Sequence, residues 1–250
     1  MTRPPDEAGW PGTAADPVLL AIETAGSACS AALTRGGVVL ASDRREMRHG
    51  HGEALLPIID RVTAAAGLRP AQLDIVAAAT GPGGFTGIRV GLAAAHGIAL
   101  ASGARLIGVS SFAAVVSLLG QAAGRPCLVA LDSRREDIYV QLFAPAGNGG
   151  LAEPAAVMPS DLAEYLVAAG LPPNAPLLIA GDAAAAAAAS LQDWPDVTAA
   201  RDLVPDALGV AAAALRALRN GAEIAPPRPL YLRPPDVTLP RRRPASATVA

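Results

Sequence analysis

The chain has 250 residues, a formal net charge of −2 and no lysine, so arginine supplies all 20 of its basic side chains. This length suits one large domain or two small domains with real cores. The absence of lysine excludes a phosphate-loop lysine and Schiff-base chemistry. The nearly neutral charge argues against nucleic-acid binding through bulk electrostatics, so any contact with RNA is expected to be local or shared with a partner.

The first part of the chain predicts three strands joined by short turns, then a helix, a strand and a second helix, an order written βββαβα. Alternating or continuous apolar runs bounded by glycine indicate the strands, and apolar residues at helical spacing indicate the helices. A further short strand is expected at Arg105 to Gly108. The elements before it are Val18 to Ile22, Ala28 to Thr34, Val38 to Arg44, Glu53 to Ala66, Asp74 to Ala79 and Thr86 to Ser102.

After a helix from Ser111 to Gly120, the same order is predicted a second time, and a last helix from Asp206 to Asn220 follows it. Ser160 is expected to cap the helix that it begins. The elements of this second unit are Cys127 to Leu131, Ile138 to Phe143, Ala155 to Met158, Ser160 to Ala169, Leu177 to Ala180 and Asp182 to Leu191.

Both units open in the same way, with four apolar residues followed by an acid and a hydroxyl residue, at Leu19 to Thr24 and at Leu128 to Ser133. Such a repeat predicts a duplicated domain with the two acids at matching strand ends. Duplicated βββαβα units are typical of the actin, sugar-kinase and Hsp70 class. The expected fold is therefore α/β, with RNase H-like halves in which helices flank mixed sheets.

Four segments follow from this pattern. Residues 1–17 are rich in proline, glycine and acid and are expected to be a disordered lead-in. An N-terminal actin-like subdomain is expected over 18–108, completed by the helix at 206–220, and a second, degenerate subdomain over 109–205. Residues 226–250 form a Pro/Arg-rich tail, which we expect to be solvated.

Two further features predict a reduced, cytoplasmic protein without a membrane segment. Cys29 and Cys127 lie inside apolar strand-like segments and are expected to be small buried hydrophobic residues. The most apolar helical segment, Val90 to Ala101, is shorter than the roughly twenty residues that span a bilayer.

A glycine-rich loop separates the fourth predicted strand from the helix after it. Four glycines and a proline lie between Gly81 and Gly87, around Phe85 and Thr86. Such a loop indicates unusual backbone dihedral angles or a very close neighbour. Either a tight turn or a functional loop fits this pattern, and its length and neighbours favour function.

The strand ends offer only a partial nucleotide site. Glu23, Thr24 and Gly26 resemble the acid and glycine-rich turn that would hold phosphate, as a vestigial phosphate site. The second unit has Arg134 and Arg135 after Asp132, with no glycine. Bulky arginines there argue against independent hydrolysis, and a stand-alone actin-fold ATPase or kinase stays as the alternative function.

A metallopeptidase is a third hypothesis, which predicts bound zinc or iron. The three histidines do not support it. His49 and His51 flank a glycine before the first helix and lack a third ligand nearby, and His96 has no histidine or carboxylate at i+3 or i+4. No metal site is therefore predicted.

The two helices of the first unit predict a helix-pair interface. The first carries apolar residues over about half its circumference, more than the roughly 100° stripe of one buried face, although a helix sandwiched inside one domain fits as well. In the second, Gly87, Gly91, Ala95 and Ala99 recur every four residues as a strip for another helix. The predicted interface residues are His51, Leu55, Leu56, Ile59, Val62, Phe85, Gly87, Ile88, Gly91, Leu92 and Ala95.

These motifs together resemble the TsaB family, also called YeaZ, densely from Val18 to Val116 and more thinly to Arg233. Gly84 and Glu23 depart from the serine and aspartate that are usual there. The matching stretches are Leu20 to Thr24, Ala28 to Leu33, His51 with Leu55 to Pro57, Gly81 to Gly91, Gly108 to Ser111, Leu131 to Arg134 and Pro229 to Arg233.

The resemblance implies a non-catalytic accessory role in making threonylcarbamoyladenosine in tRNA. The implied partners are a catalytic paralogue, TsaD, and a P-loop ATPase, TsaE, with tRNA bound indirectly and a homodimer when the chain is alone. The paralogue binds its metal through a His-x-x-x-His element after a Gly-Val strand end, where this chain has Ser111 and Val115. The resemblance therefore implies no cofactor in this chain, apart from a nucleotide at the boundary between subunits.

Overall fold

The structure is a computed structural model, and it describes residues 16–119, 124–145, 149–200, 203–221 and 227–233. Most of the expected lead-in and most of the Pro/Arg-rich tail lie outside these ranges. The described chain forms ten strands and six α-helices, and two sheets of five strands carry the fold.

The first sheet has the strand order β3-β2-β1-β4-β5. β1, β2 and β3 pair antiparallel, whereas β4 and β5 run parallel to β1. β1 and β4 are buried at every residue, which requires cover on both faces of the sheet. The strands are β1 (Val18–Glu23), β2 (Ala28–Arg35), β3 (Val38–Glu46), β4 (Ile75–Gly81) and β5 (Arg105–Ser110).

The second sheet repeats this arrangement in the order β8-β7-β6-β9-β10. β7 pairs antiparallel with both β6 and β8. On the other side of β6, β9 runs parallel to β6, and β10 runs parallel to β9. The prediction of two related mixed sheets is confirmed. The strands are β6 (Cys127–Asp132), β7 (Ile138–Phe143), β8 (Ala155–Val157), β9 (Leu177–Ala180) and β10 (Val197–Ala199).

The helices cover the first sheet more heavily than the second. Residues of α1, α2 and α6 share one hydrophobic core with β1, β2 and β4. A smaller core lies between α4, α5 and the second sheet. The helices are α1 (His51–Ala65), α2 (Phe85–Ser102), α3 (Ser111–Leu118), α4 (Leu162–Ala168), α5 (Ala184–Ala189) and α6 (Ala207–Arg219).

A third core, which we call the joint core, connects the two halves. Phe112, Val115 and Val116 of α3 pack there against the second sheet, on Cys127 and Val129 of β6 among others. Since Ala114 of the same helix packs into the first core, α3 is bound to both halves. The halves are therefore joined by packed side chains and not by the chain connection alone.

Several predicted element ends are wrong. The helix predicted at Ser160 to Ala169 begins as a 3₁₀ turn, Pro159–Asp161, and α4 follows it, with no side-chain cap at its start. The Ser160 hydroxyl instead donates to the Asp161 carboxylate at 2.7 Å. A proline at the first position suits a 3₁₀ turn, and the serine cap is lost because the adjacent acid competes for its hydroxyl.

α2 has 18 residues and is long and apolar enough to pass a composition test for a membrane span, with a third of it buried. α2 is thus longer than Val90 to Ala101, the apolar helical segment predicted from the sequence. A helix that packs against its own sheet passes the same test, so this feature is weak evidence for a membrane.

Candidate functional site

The glycine loop lies against the turn between β1 and β2. The peptide N–H of Gly84 donates to the carbonyl oxygen of Ala25 at 2.7 Å. A Cβ on Gly83 would overlap the same carbonyl group, and Gly81 has a φ of 97°. Left-handed φ and close backbone approach are the two conditions that require glycine. The predicted close neighbour is therefore a segment of the chain itself.

The strip of small residues on α2 also faces the turn between β1 and β2. A Cβ on Gly87 would overlap the Thr24 carbonyl oxygen, and one on Gly91 would overlap the Thr24 hydroxyl. Ala95 is fully buried. The prediction that this strip is open to a partner helix is wrong, because its small residues let α2 approach the protein's own first sheet.

Most of the other predicted interface residues also point inward. Leu55, Ile59, Val62, Ile88 and Leu92 are buried in the first core. Their apolar spacing was that of a core-facing stripe, which a sequence pattern does not distinguish from a partner-facing one.

Three of the predicted interface residues reach the surface. Leu56 is 55% exposed and Phe85 is 39% exposed, and His51 is half-buried at the start of α1. Burial lowers the pKa of His51, so the neutral imidazole is favoured. The outer face of α2 adds exposed Ala93 and Leu100.

Glu23 is fully buried at the end of β1. Its Oε1 accepts hydrogen bonds from the N–H groups of Ala25 at 2.7 Å and Gly26 at 3.0 Å, and its Oε2 has no hydrogen-bond partner among the described residues. Burial raises the pKa of Glu23 to about 8, against the opposing effect of these two bonds. The side chain is therefore protonated at neutral pH.

The predicted phosphate site is thus engaged internally. Two of the N–H groups that phosphate would require donate to Glu23, and the Thr24 hydroxyl donates to the Gly87 carbonyl oxygen at 2.7 Å. Glu23, Thr24 and Gly26 lie together at the end of β1, where they hold the β1–β2 turn against α2.

The corresponding loop of the second half is built differently. Asp132 is exposed, and its Oδ1 accepts from the N–H of Arg134 at 2.7 Å. The N–H of Asp132 donates to Asp182 at 2.8 Å. This geometry gives Arg134 a φ of 60° and brings its guanidinium within 3.4 Å of the Gly26 carbonyl oxygen in the first half.

A cavity of about 480 Å³ lies where these segments meet. The starts of α1 and α2 both open onto it, and helix N-termini attract anions. Its residues thus come from both halves, with four basic or imidazole groups and one acid. It is lined by Thr24, Gly26, Arg48, His49, Gly50, His51, Gly52, Glu53, Gly84, Phe85, Thr86, Gly87, Val90 and Arg134.

The positions at which the resemblance implies histidines in the paralogue lie in α3. Ser111 and Val115 are both fully buried there. Neither side chain supplies an imidazole. Among the residues that the structure describes, no three His, Cys, Asp or Glu side chains come together as metal ligands.

Sequence reasoning missed one cluster beside the cavity. The ring of Tyr231 stacks on Phe85 with 5.1 Å between ring centroids, and the guanidinium of Arg89 lies 3.4 Å from the Phe85 centroid. Tyr231 is separated from Phe85 by most of the chain, so no local pattern links them. The stretch Pro229 to Arg233 carries the resemblance to the TsaB family, but nothing in its sequence indicates a contact with Phe85.

Comparison with known proteins gives one family model and several solved structures that resemble this chain. A family model described as "TsaD: tRNA N6-adenosine threonylcarbamoyltransferase" matches residues 35–236. Among solved structures, a Pseudomonas aeruginosa protein described as similar to peptidase YeaZ has a TM-score of 0.71 and 25% identity, over 87% of this chain and 100% of that chain. YeaZ from the same organism has a TM-score of 0.66.

Sequence relatives are of two kinds. The TsaB protein of Escherichia coli K12 is 33% identical over 132 residues, which are 52% of this chain and 57% of that protein. The TsaB protein of Haemophilus influenzae is 36% identical, over 51% of its length. The chain thus spans about half the length of these relatives. An uncharacterised Mycobacterium tuberculosis protein is 34% identical over 87% of this chain and 92% of its own length.

The duplicated mixed sheets and the likeness to YeaZ place the chain in the actin-like class of α/β proteins. In this chain, the turn predicted as a vestigial phosphate site donates its N–H groups to the chain's own Glu23. The chain belongs to the TsaB (YeaZ) family.

Proposed function

We propose that this protein is a non-catalytic subunit of the machinery that makes N6-threonylcarbamoyladenosine in tRNA. It binds and activates a TsaD-like catalytic paralogue, together with a TsaE-like P-loop ATPase, in the cytoplasm. tRNA is contacted through the complex. The observation that carries this proposal is the family membership of the chain. The expectation that Ser111 and Val115 stand where the paralogue has its histidines supports the non-catalytic part of the proposal.

The outward faces of α1 and α2 are the proposed contact surface. Leu56 and Ala93 are exposed on these helices, and Leu100 is 88% exposed. Both helices are anchored by the first core. Their outer surface is therefore already ordered before a partner binds, and binding loses little conformational entropy. The same surface would pair two copies of the chain when no paralogue is present.

The alternative function, a stand-alone ATPase or kinase, is not favoured by any contact in the part of the chain that the structure describes. The Ala25 and Gly26 N–H groups are bonded to Glu23, and a phosphate would have to displace that buried side chain. Any nucleotide is instead proposed at the boundary with the partner, in the 480 Å³ cavity, where the helix N-termini and Arg134 favour an anion.

The test is binding of the purified chain to the TsaD-like protein of its host, with titration calorimetry as the measurement. Leu56→Arg and Ala93→Arg place a charge on the proposed surface, and we expect each to weaken binding by about tenfold or more, or about 1.4 kcal/mol. Val167→Arg is the matched control, because Val167 is 50% exposed on α4 of the other half. Parent-like affinity of both surface variants would contradict the proposed interface.

A second measurement tests the role itself. Deletion of the gene in the host is expected to remove threonylcarbamoyladenosine from total tRNA, as measured by mass spectrometry of nucleosides, and the Val167→Arg variant should restore it. Normal modification in the deletion strain would overturn the proposed function. Binding to the TsaD-like protein together with normal tRNA modification in the deletion strain would support the proposed partner and contradict the proposed role.

A further inference from the structure

The segment Pro227–Arg233, which we call the strap, crosses the ends of two strands in the first half. The N–H of Leu230 donates to the Thr80 carbonyl oxygen at 2.8 Å. A Cβ on Gly108 would lie 2.9 Å from Pro227, and one on Gly81 would lie 3.2 Å from the Leu230 carbonyl oxygen. Glycine at the ends of β4 and β5 therefore leaves room for the strap.

The middle of the strap is fastened to the joint core. Leu230 and Leu232 pack against buried residues there, which come from α3 and from the second sheet. The strap thus contacts both halves of the molecule, and part of the expected solvated tail is instead folded onto the protein.

One anchor of the strap lies in the first half. Tyr231 stacks on Phe85, which is the first residue of α2 and follows the glycine loop directly. Arg89 lies over the Phe85 ring and 5.8 Å from the Tyr231 centroid. Stacked rings with a cation over one face are stabilising beyond their buried area. Phe85 also lines the cavity, so this anchor holds one of its walls.

The other anchor lies in the second half. The guanidinium of Arg233 forms an ion pair with the carboxylate of Asp137, whose side chain is 7% exposed. The other oxygen of that carboxylate accepts from the Ser133 hydroxyl at 2.6 Å, and the Ser133 oxygen accepts from the N–H of Arg135 at 3.2 Å. The Arg233 side chain is 29% exposed, so the pair is partly solvated, and loss of Arg233 would leave the buried Asp137 carboxylate without its cationic partner, which is destabilising.

Asp137 closes the loop that carries Arg134. That loop, 132–137, holds Arg134 at a φ of 60° and directs its guanidinium to the opposite wall of the cavity. Arg233 is therefore a positioning residue, which acts on Arg134 through Asp137 and Ser133.

We propose that the strap couples the two walls of the cavity, so that the Phe85 side and the Arg134 side move or stay ordered together. Tyr231 and Arg233 are two residues apart in one short segment, and Leu230 and Leu232 of the same segment are only partly buried against the joint core, so a displacement at one anchor is passed to the other. Release of either anchor therefore loosens both walls. This coupling belongs to the chain alone and does not depend on the proposed partner.

Hydrogen exchange of the full-length chain, followed by mass spectrometry, tests this coupling. Loss of one anchoring contact, about 1 kcal/mol, changes local opening about fivefold. Tyr231→Ala is expected to raise exchange about fivefold in the 84–89 segment, and also in the 133–137 loop at the other end of the strap. Arg233→Gln is expected to raise exchange in the same two segments.

Arg228→Ala is the matched control, because it removes an exposed arginine from the same strap. It should leave both segments as in the parent, and Arg233→Lys, which keeps the charge, should restore most of the protection. If Tyr231→Ala fails to fold, Tyr231→Leu removes the stacking and keeps the apolar cover. An increase confined to each variant's own anchor, or an Arg228→Ala variant that behaves like Arg233→Gln, would overturn the proposal.

Discussion

The two halves of the molecule share one strand order but differ at the loops that follow their first strands. Glu23 ends β1 and is fully buried, with its own turn wrapped around it. Asp132 ends β6 at the equivalent position and is exposed, and it holds an arginine that reaches across to the first half. Packing constrains the sheets of a duplicated fold, whereas loops at strand ends are free to diverge.

The same contrast extends to the helices. The first half has helices of 15 and 18 residues against its sheet, and the second half has helices of 7 and 6 residues. The longer pair presents an ordered outer surface, which the second half lacks the length to match. The proposed contact surface and the cavity wall with the glycine loop therefore belong to the first half.

The largest expected effect comes from loosening the connection between the halves. Phe112 is fully buried in the joint core, and Phe112→Ala should lower the free energy of unfolding by about 3–5 kcal/mol. We expect the second half to unfold first, because its own core is smaller.

The measurement is urea denaturation in a Trp10→Phe background, with Trp194 fluorescence for the second half and far-ultraviolet circular dichroism for the whole chain. Phe112→Leu should have a smaller effect in the same direction. If fluorescence and circular dichroism report the same transition in Phe112→Ala, and stability falls only slightly, the two halves do not depend on this contact.

The next effect concerns the glycines of the first half. Gly87→Ala would place a methyl group on the Thr24 carbonyl oxygen, and the required shift should cost about 1–3 kcal/mol of stability. Gly97 lies in the same helix with open space at its Cβ position, so Gly97→Ala should stabilise the protein by about 0.5–1 kcal/mol.

Chemical denaturation of both variants compares the two faces of α2 directly. Equal effects would contradict the inward orientation of the small-residue strip.

The third prediction uses the pH dependence of Glu23. Its pKa in the folded protein is about 8, above the ordinary value of 4.5. Between these values the folded state binds a proton that the unfolded state releases, so stability falls as pH rises from about 4.5 to about 8. The slope contributed is at most about 1.4 kcal/mol per pH unit.

Glu23→Gln should remove this contribution, and Asp132→Asn in the second half serves as the control. Stability from urea denaturation at several pH values gives the slopes. A slope in Glu23→Gln as steep as that of the parent would show that another group is responsible.

The smallest effects are expected from surface ion pairs. Arg61 pairs with Asp43 at 2.7 Å in the first half, and Arg125 pairs with Asp196 at 3.0 Å in the second. Exposed pairs contribute about 0.2–1 kcal/mol. Arg61→Ala and Arg125→Ala should each lower the melting temperature slightly, and less so at high salt. A larger loss from only one variant would mark that pair as part of a wider network.

The sequence was sufficient for the sheets because buried strands and turn glycines are local signals. The repeat of Leu19 to Thr24 in Leu128 to Ser133 correctly indicated a duplicated unit. The inward orientation of Gly87 and Gly91 was not predictable in this way, because small residues at helical spacing suit a partner helix and an underlying strand equally. Only the position of Thr24 decides between them.

The candidate site was less predictable for a related reason. Glu23, Thr24 and Gly26 were predicted as a vestigial phosphate site, but the bonds of the Glu23 carboxyl group to its own turn depend on burial that the sequence does not report. The pairs Tyr231 with Phe85 and Arg233 with Asp137 join positions far apart in the chain. No periodic pattern records such long-range contacts.

The two cysteines have a practical consequence for experiments. Cys29 and Cys127 are both fully buried, and burial raises their pKa values to about 11 and about 12. Thiolate is the reactive species toward maleimides and iodoacetamides, so both native thiols should resist labelling while the protein is folded. A single cysteine introduced on either half can then carry a fluorophore or spin label in an otherwise natural background.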